Sequence, residues 1–272
     1  MGRGDAALVC LILFLGRLST PAVGQSASGL TREQRREFLL TAEIIGGRQN
    51  GEGLTLPWRL TLSDGTITHD ASYSTVDERR SIMEFSDGSR EVNFVDSYQY
   101  NIAAYDLAVV LGLGDMMPVT VERRWQDKHG ALSWWVDDVV MDEARRLKKG
   151  MRAPDTEAWN RQMHRMRVFG QLVYDTDRNV GNVLIDKHWR LWMIDFTRAF
   201  RLWARIDRPQ DLTRCDRQLL ERLRTLTQAE VEEAVGDRVS SAAVKALMAR
   251  RQLIVEHFDR LVAQKGPAAV LY

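Results

Sequence analysis

Lysine is scarce in this sequence. Only six of its 38 basic residues are lysine, and none precedes Lys128. The 38 basic residues are balanced by 37 acidic ones, so the chain has no strong net charge to attract nucleic acid or an anionic membrane. The charge balance therefore gives no support to nucleic-acid binding, and we expect no nucleic-acid partner.

Cysteine is almost absent, with Cys10 and Cys215 as the two examples. If a leader containing Cys10 is removed, the remaining chain can form neither an intramolecular disulfide nor a cysteine-based metal site. No two of the five histidines form a close pair at metal-ligand spacing, and no Gly-x-Ser-x-Gly motif occurs, which disfavours zinc and serine hydrolases. We interpret Cys215 as a half-buried small residue.

The apolar run near the N-terminus is too short to span a membrane as a helix. It covers residues 6–16, whereas a spanning helix needs about 20 residues. Arg3 precedes the run, and Ala22 and Gly24 are the small residues that a signal peptidase requires. We therefore predict a signal peptide over residues 1–24, cleaved after Gly24, with an uncleaved anchor as the alternative. The mature protein would be periplasmic or extracellular, or lie in the secretory lumen of a eukaryote, without a stable transmembrane span.

Composition is otherwise that of a globular protein, with 44% apolar and 28% charged residues. Residues 25–36 resemble a loose polar lead-in, and strand-like runs follow over residues 38–50, 56–62, 67–76, 119–125 and 131–136. Helical spacing governs residues 98–111 and 160–174 and most of the chain after residue 210, with a hairpin at residues 183–194. The sequence thus predicts an α+β fold with two lobes, a strand-rich N-lobe over 25–140 and a helical C-lobe over 141–272.

Two basic features have ordinary structural interpretations. The arginines of residues 161–167 and the pair Arg250-Arg251 lie at helical spacing in sequences that also hold acidic residues, which predicts solvated helix faces. His69 lies in a short strand candidate, and we interpret it as an edge-strand residue rather than a ligand.

One segment carries residues suited to phosphoryl transfer. It runs from Asp177 through Asn182 into the hairpin and ends at Asp195, which is followed by Phe196. A hairpin returns its two ends to the same place, so Asp177, Asn182 and Asp195 should converge. Carboxylate and amide oxygens suit Mg²⁺, and a second carboxylate can accept a proton from an attacking hydroxyl. The alternative is a surface loop whose Asp and Asn side chains cap the hairpin.

The Asp-Arg-x-x-x-Asn loop and the Ile-Asp-Phe-Thr sequence resemble the catalytic-loop and metal-binding motifs of the protein-kinase-like superfamily. The catalytic loop of this chain begins with Asp-Arg and has no preceding His-Arg, which makes it more similar to the loops of the atypical branch. That branch includes type II phosphatidylinositol 4-kinases, HipA-like kinases and secretory-pathway kinases. This resemblance implies that Asp177 is the catalytic base and that Asn182 and Asp195 bind Mg²⁺. It implies ATP or another nucleotide as cofactor and a hydroxyl-bearing acceptor, which is a protein, a lipid or a small molecule.

The glycine-rich segment between the first two strand candidates fits the same resemblance. Gly51, Gly53 and Thr55 could lay backbone N–H groups over nucleotide phosphates, although a plain hairpin turn would explain them too.

The resemblance fails at the Lys–Glu pair of the first lobe. Protein kinases place this lysine on the third strand and the glutamate on a helix. Residues 25–127 contain no lysine, and Asn101 stands near the expected glutamate position. Arg90 is our candidate for a replacement cation, with Glu91 beside it. The alternative is a catalytically silent kinase-like module that binds a partner.

Overall fold

A five-stranded antiparallel sheet forms most of the first lobe in the computed structural model, which describes residues 29–49, 57–175 and 180–272. The first-lobe strands are β1 (Glu43–Gln49), β2 (Trp58–Ser63), β3 (Thr68–Ser74), β4 (Asp77–Glu84), β5 (Arg90–Ser97), β6 (Thr120–Trp125) and β7 (Lys128–Trp134). The main sheet has the order β1-β2-β3-β7-β6, while β4 and β5 form a separate hairpin between β3 and the first-lobe helix α2 (Tyr98–Val110).

The loose lead-in predicted before the first strand is wrong, because residues 32–41 form helix α1 (Arg32–Thr41). The sequence signal is a capping box, in which Thr31 accepts from the backbone of Gln34 and the Gln34 side chain accepts from the backbone of Thr31. Phe38 and Leu39 of this helix are buried in the core. The predicted strand 38–50 therefore shortens to β1.

The second lobe contains a three-stranded sheet and most of the helices. Its elements are β8 (Val139–Asp142), α3 (Glu143–Lys148), α4 (Thr156–Val173), β9 (Val183–Asp186), β10 (Leu191–Met193), α5 (Arg217–Thr225), α6 (Gln228–Val235), α7 (Ser241–Lys265) and α8 (Pro267–Val270). The sheet has the order β10-β9-β8, and the predicted hairpin is β9–β10. The α+β fold with a strand-rich first lobe and a helical second lobe is confirmed. The boundary at residue 140 stays a prediction, since β8 crosses it.

Membrane-spanning helices are absent from the part of the chain that the structure describes. The predicted signal peptide, residues 1–24, lies outside the described residues.

Arg250 is wholly buried, which corrects the prediction of a solvated face. Its Nε donates to the carbonyl of Leu172 at 2.7 Å, and its Nη1 donates to the carbonyls of Arg201 and Trp203 at 2.9 and 2.6 Å. Burial lowers the pKa of Arg250 to about 10, so the guanidinium remains charged at neutral pH. Arg250 thus joins the end of α4 to the segment that follows Asp195.

His69 and Cys215 are also more enclosed than the sequence predicts. β3 lies between β2 and β7, so His69 is not on an edge strand; its ring stacks on Trp134 with centroids 3.8 Å apart. Its Nε2 lies 2.8 Å from Asp137 Oδ2. Cys215 is completely buried, and this burial raises the pKa of its thiol to about 12.

Candidate nucleotide and metal site

The β9–β10 hairpin brings Asn182 and Asp195 to the same end. Residues 180–182 form one 3₁₀ turn directly before β9, and Asp195 follows β10 by two residues. Val183 pairs with Met193 at this end of the ladder, and Ile194 N donates to the carbonyl of Asn182 at 3.1 Å. Convergence of these two residues was predicted from their spacing, while their role as metal ligands stays a prediction.

Asp195 occupies the left-handed region, with φ of +58°, and its side chain is exposed. Thr197 Oγ1 donates to Asp195 Oδ1 at 3.0 Å, whereas the intervening Phe196 is 1% exposed and packs edge-on against Phe169. Non-glycine residues adopt this backbone conformation rarely, and it is frequent at functional sites. The backbone therefore anchors Phe196 in the core while Asp195 faces solvent.

Helix α2 contacts the residues that follow Asp195. Asn101 Oδ1 accepts from Phe196 N at 2.6 Å, and Ser97, the N-cap of α2, donates its backbone N–H to the Thr197 carbonyl at 2.9 Å. The sequence placed Asn101 where a kinase glutamate would stand, but it gave no sign of this contact.

The face of the first-lobe sheet that meets α2 also carries a cation. The first turns of α2 pack against Ala131 on β7. Residues two apart on a strand share a face, so Ser133 lies on the α2 side as well. Ser133 pairs with Ser72, and Ser72 pairs with Arg59 on β2. Arg59 is therefore on the same face of the sheet as α2.

Several neighbours fix the Arg59 guanidinium. Its Nε donates to Asp70 Oδ2 at 2.6 Å, Thr61 Oγ1 donates to Asp70 Oδ1 at 2.7 Å, and the guanidinium carbon lies 4.0 Å from the ring centre of Trp135. Burial alone would raise the pKa of Asp70, but the hydrogen bonds from Thr61 and Arg59 outweigh it and lower that pKa. A cavity of about 210 Å³ opens here, lined by Gly47, Arg48, Arg59, Thr61 and Asp70.

Four of the predicted site residues lie outside the described residues. Gly51, Gly53 and Thr55 belong to the connection between β1 and β2, which pair antiparallel up to Gln49 and Trp58. Asp177 belongs to residues 176–179, directly before the turn that contains Asn182. The proposed roles of all four stay predictions.

Arg90 lies at the end of β5 that is remote from α2. Its Nη2 is 2.6 Å from Oε1 of Glu84 on β4, and both side chains are more than 60% exposed. Its predicted role as a phosphate-binding cation is not tested by this placement. The carboxylate of the adjacent Glu91 forms ion pairs with Arg198 and Arg201.

The donor set fits a hard cation. The exposed carboxylate of Asp195 and the side-chain amide of Asn182 are oxygen ligands of the kind that Mg²⁺ takes. Within the described ranges no group of three His, Cys, Asp or Glu side chains could hold a metal.

Solved structures similar to this chain include two kinases and a Fam20 protein. A hydra Fam20 protein solved with sugar has a TM-score of 0.64 at 14% identity, covering 88% of this chain and 91% of the other. The Golgi casein kinase with Mn/ADP bound has a TM-score of 0.60 at 14% identity, covering 88% and 78%. The Helicobacter pylori proinflammatory kinase CtkA has a TM-score of 0.53 at 10% identity, covering 83% and 98%.

No family model and no curated protein matches the sequence. Resemblance at 10–14% identity bears on the fold alone, and the roles of Asp177, Asn182 and Asp195 stay predictions. The chain has a two-lobed protein-kinase-like fold, similar to that of these solved structures.

Proposed function

We propose that this chain is a kinase-like phosphotransferase that moves a phosphoryl group from a Mg²⁺-nucleotide to a hydroxyl-bearing acceptor. The observation that supports it most is the placement of Asn182 and Asp195 at one end of the β9–β10 hairpin, beside the α2 contact to Phe196. If Asn182 and Asp195 only capped the hairpin, the hydrogen bond from the backbone of Phe196 to helix α2 would serve no purpose for them. Phosphoryl transfer, in contrast, depends on metal ligands whose positions are fixed, and this hydrogen bond would help to fix Asp195.

The proposal assigns each predicted residue a role. Asn182 and Asp195 hold Mg²⁺, and the segment with Gly51, Gly53 and Thr55 covers the phosphates. Arg90 is the phosphate-binding cation proposed from the sequence, and Arg59, which lines the cavity on the α2 side of the sheet, is a second candidate for that role. Asp177 accepts the proton of the acceptor hydroxyl. The bond from the acceptor oxygen to the γ-phosphorus then forms as the bond from that phosphorus to the bridging oxygen breaks, and the nucleoside diphosphate leaves.

Two features of the structural neighbours support the cofactor and the location. One neighbour was solved with Mn/ADP, which supports a nucleotide and a divalent cation here, with ATP and Mg²⁺ as the forms we propose. The same neighbour is named as a Golgi enzyme, which supports our proposal that this chain is exported after removal of residues 1–24. The acceptor remains open among proteins, lipids and small molecules.

A second candidate function is a catalytically silent module that binds a partner. The observation in its favour is that residues 25–127 contain no lysine, so the usual Lys–Glu pair cannot form. Arginine is a poor substitute for lysine because its planar, fixed charge imposes a different contact geometry.

Nucleotide binding and turnover distinguish the two functions. Residues 25–272 would be melted with ATP or ADP, with and without Mg²⁺ or Mn²⁺, and incubated with ATP to measure its consumption. Nucleotide at 100 times its Kd should stabilise the fold by about 2.7 kcal/mol. Asp177→Asn should keep this shift and abolish turnover. A wild-type protein with no metal-dependent shift for any nucleotide would overturn the proposal, and a shift without turnover would favour the silent module.

A further inference from the structure

An ion cluster joins the β4–β5 hairpin to the segment after Asp195. Glu91 on β5 accepts from Arg198 Nη2 and from Arg201 Nη2, each at 2.8 Å. The side chains of Glu91, Arg198 and Arg201 are 15%, 18% and 5% exposed. Ion pairs this enclosed restrict their partners far more than surface pairs do, because breaking one leaves an uncompensated buried charge.

Two aromatic rings of the hairpin complete this arrangement. The guanidinium carbon of Arg198 lies 5.2 Å from the ring centres of both Phe85 and Phe94, and that of Arg201 lies 5.5 Å from Phe94. Burial lowers the pKa of Arg201, and the Glu91 carboxylate opposes that effect. We call these five residues the Glu91 cluster. The hairpin thus supplies one carboxylate and two ring faces to two cations of the second lobe.

We propose that Glu91 is a positioning residue that holds Asp195 at the hairpin end by fixing the segment of residues 196–201. Arg198 is three residues from Asp195, and the residues between them already bond to α2 and its N-cap through Asn101 and Ser97. The Glu91 cluster adds a third attachment, at residues that follow Asp195 in the chain, whereas β10 precedes it. In protein kinases the Lys–Glu pair links the first lobe to the site, and this chain lacks that pair.

This inference rests on the proposed function, because the placement of Asp195 matters only if it binds metal. The test compares Glu91→Gln with Glu78→Gln. Both glutamates belong to the same hairpin and pair with arginine, but Glu78 and its partner Arg80 are far more exposed. For each variant we would measure the melting temperature, the Kd for Mn²⁺-ADP well below that temperature, and hydrogen exchange of the amides of residues 196–201.

We expect Glu91→Gln to speed amide exchange in residues 196–201. We also expect it to weaken the binding of Mn²⁺-ADP by about tenfold or more, which is the usual effect of losing a residue that orients a metal ligand. Glu78→Gln should leave both quantities unchanged. A lower melting temperature with unchanged affinity would reduce Glu91 to a structural residue and overturn the proposal. If Glu91→Gln does not fold, Arg198→Gln provides the same comparison, since its side chain is less buried than that of Arg201.

The two proposals fail in different ways. A wild-type protein that binds no Mn²⁺-ADP contradicts the proposed function. Unchanged exchange in residues 196–201 of the Glu91 variant contradicts the positioning role, whether or not the wild type binds nucleotide.

Discussion

Asn101 Oδ1 accepts a 2.6 Å hydrogen bond from Phe196 N, which links the first-lobe helix to the residue directly after Asp195 across 95 positions of sequence. Asn101 is half-buried and Phe196 is buried, so water is a poor substitute for this acceptor. The bond makes the orientation of α2 and the position of Asp195 interdependent.

Asn101→Ala removes that acceptor and should destabilise the fold by about 1–3 kcal/mol, because the Phe196 N–H is left unpaired. Each kcal/mol corresponds to about 2–4 °C in melting temperature for a domain of this size. Asn101→Asp retains an acceptor oxygen, so it should lower the free energy of unfolding clearly less than Asn101→Ala. Thermal melts of both variants measure the difference. An equal decrease in melting temperature for the two variants would mean that the hydrogen bond does not stabilise this contact.

Arg59 and Arg90 can be compared directly as first-lobe cations. Arg59 lies on the α2 side of the sheet and is held by Asp70, whereas Arg90 is an exposed residue paired with Glu84. We expect Arg59→Gln to weaken nucleotide binding more than Arg90→Gln, because a cation with fixed geometry loses less entropy on binding phosphate. Titration of both variants with ADP and Mn²⁺ measures the difference. A larger loss for Arg90→Gln would support the candidate chosen from the sequence.

Arg250→Met should destabilise the protein by about 3 kcal/mol or more, since three carbonyls lose their donor and two of these hydrogen bonds, to Leu172 and Arg201, are buried. Arg251→Met is the control, because Arg251 is the next residue on α7 and is only half-buried. Denaturant unfolding of both variants gives the comparison. Similar losses would show that the buried guanidinium contributes nothing beyond helix packing.

Cys215 should be inert in the folded protein, since burial raises its thiol pKa to about 12 and a thiolate is the reactive form. The unfolded chain ionises this thiol nearer the ordinary value of 9.0, so the folded state holds more protons above that pH and stability falls as pH rises. Iodoacetamide at pH 8, followed by peptide mass spectrometry, should label Cys215 only in denaturant. Rapid labelling without denaturant would contradict the burial.

Local sequence signals predicted the β9–β10 hairpin and α2. Apolar spacing and turn residues act over short distances, so the convergence of Asn182 and Asp195 could be derived from the residues between them. Helix α1 was missed although Thr31 and Gln34 form a capping box, because the polar residues around it suggested a loose segment.

Contacts between distant segments could not be predicted in this way. Glu91 and Arg198 are 107 residues apart, and no short-range pattern indicates their pairing. Arg250 shows the same limit, because arginine at helical spacing is usually solvated and only the surrounding carbonyls explain its burial.

Asp195→Asn tests directly whether Asp195 is a metal ligand. Asp127→Asn is a matched control, since Asp127 also has a positive φ, of 63°, but lies in the exposed β6–β7 turn. Calorimetric titration with ADP and Mn²⁺, beside the melting temperature of each ligand-free protein, is the measurement. We predict that Asp195→Asn melts at or slightly above the wild-type temperature and loses the metal-dependent binding that Asp127→Asn retains. An Asp195→Asn protein that melts far lower yet binds Mn²⁺-ADP normally would show that Asp195 is a structural aspartate.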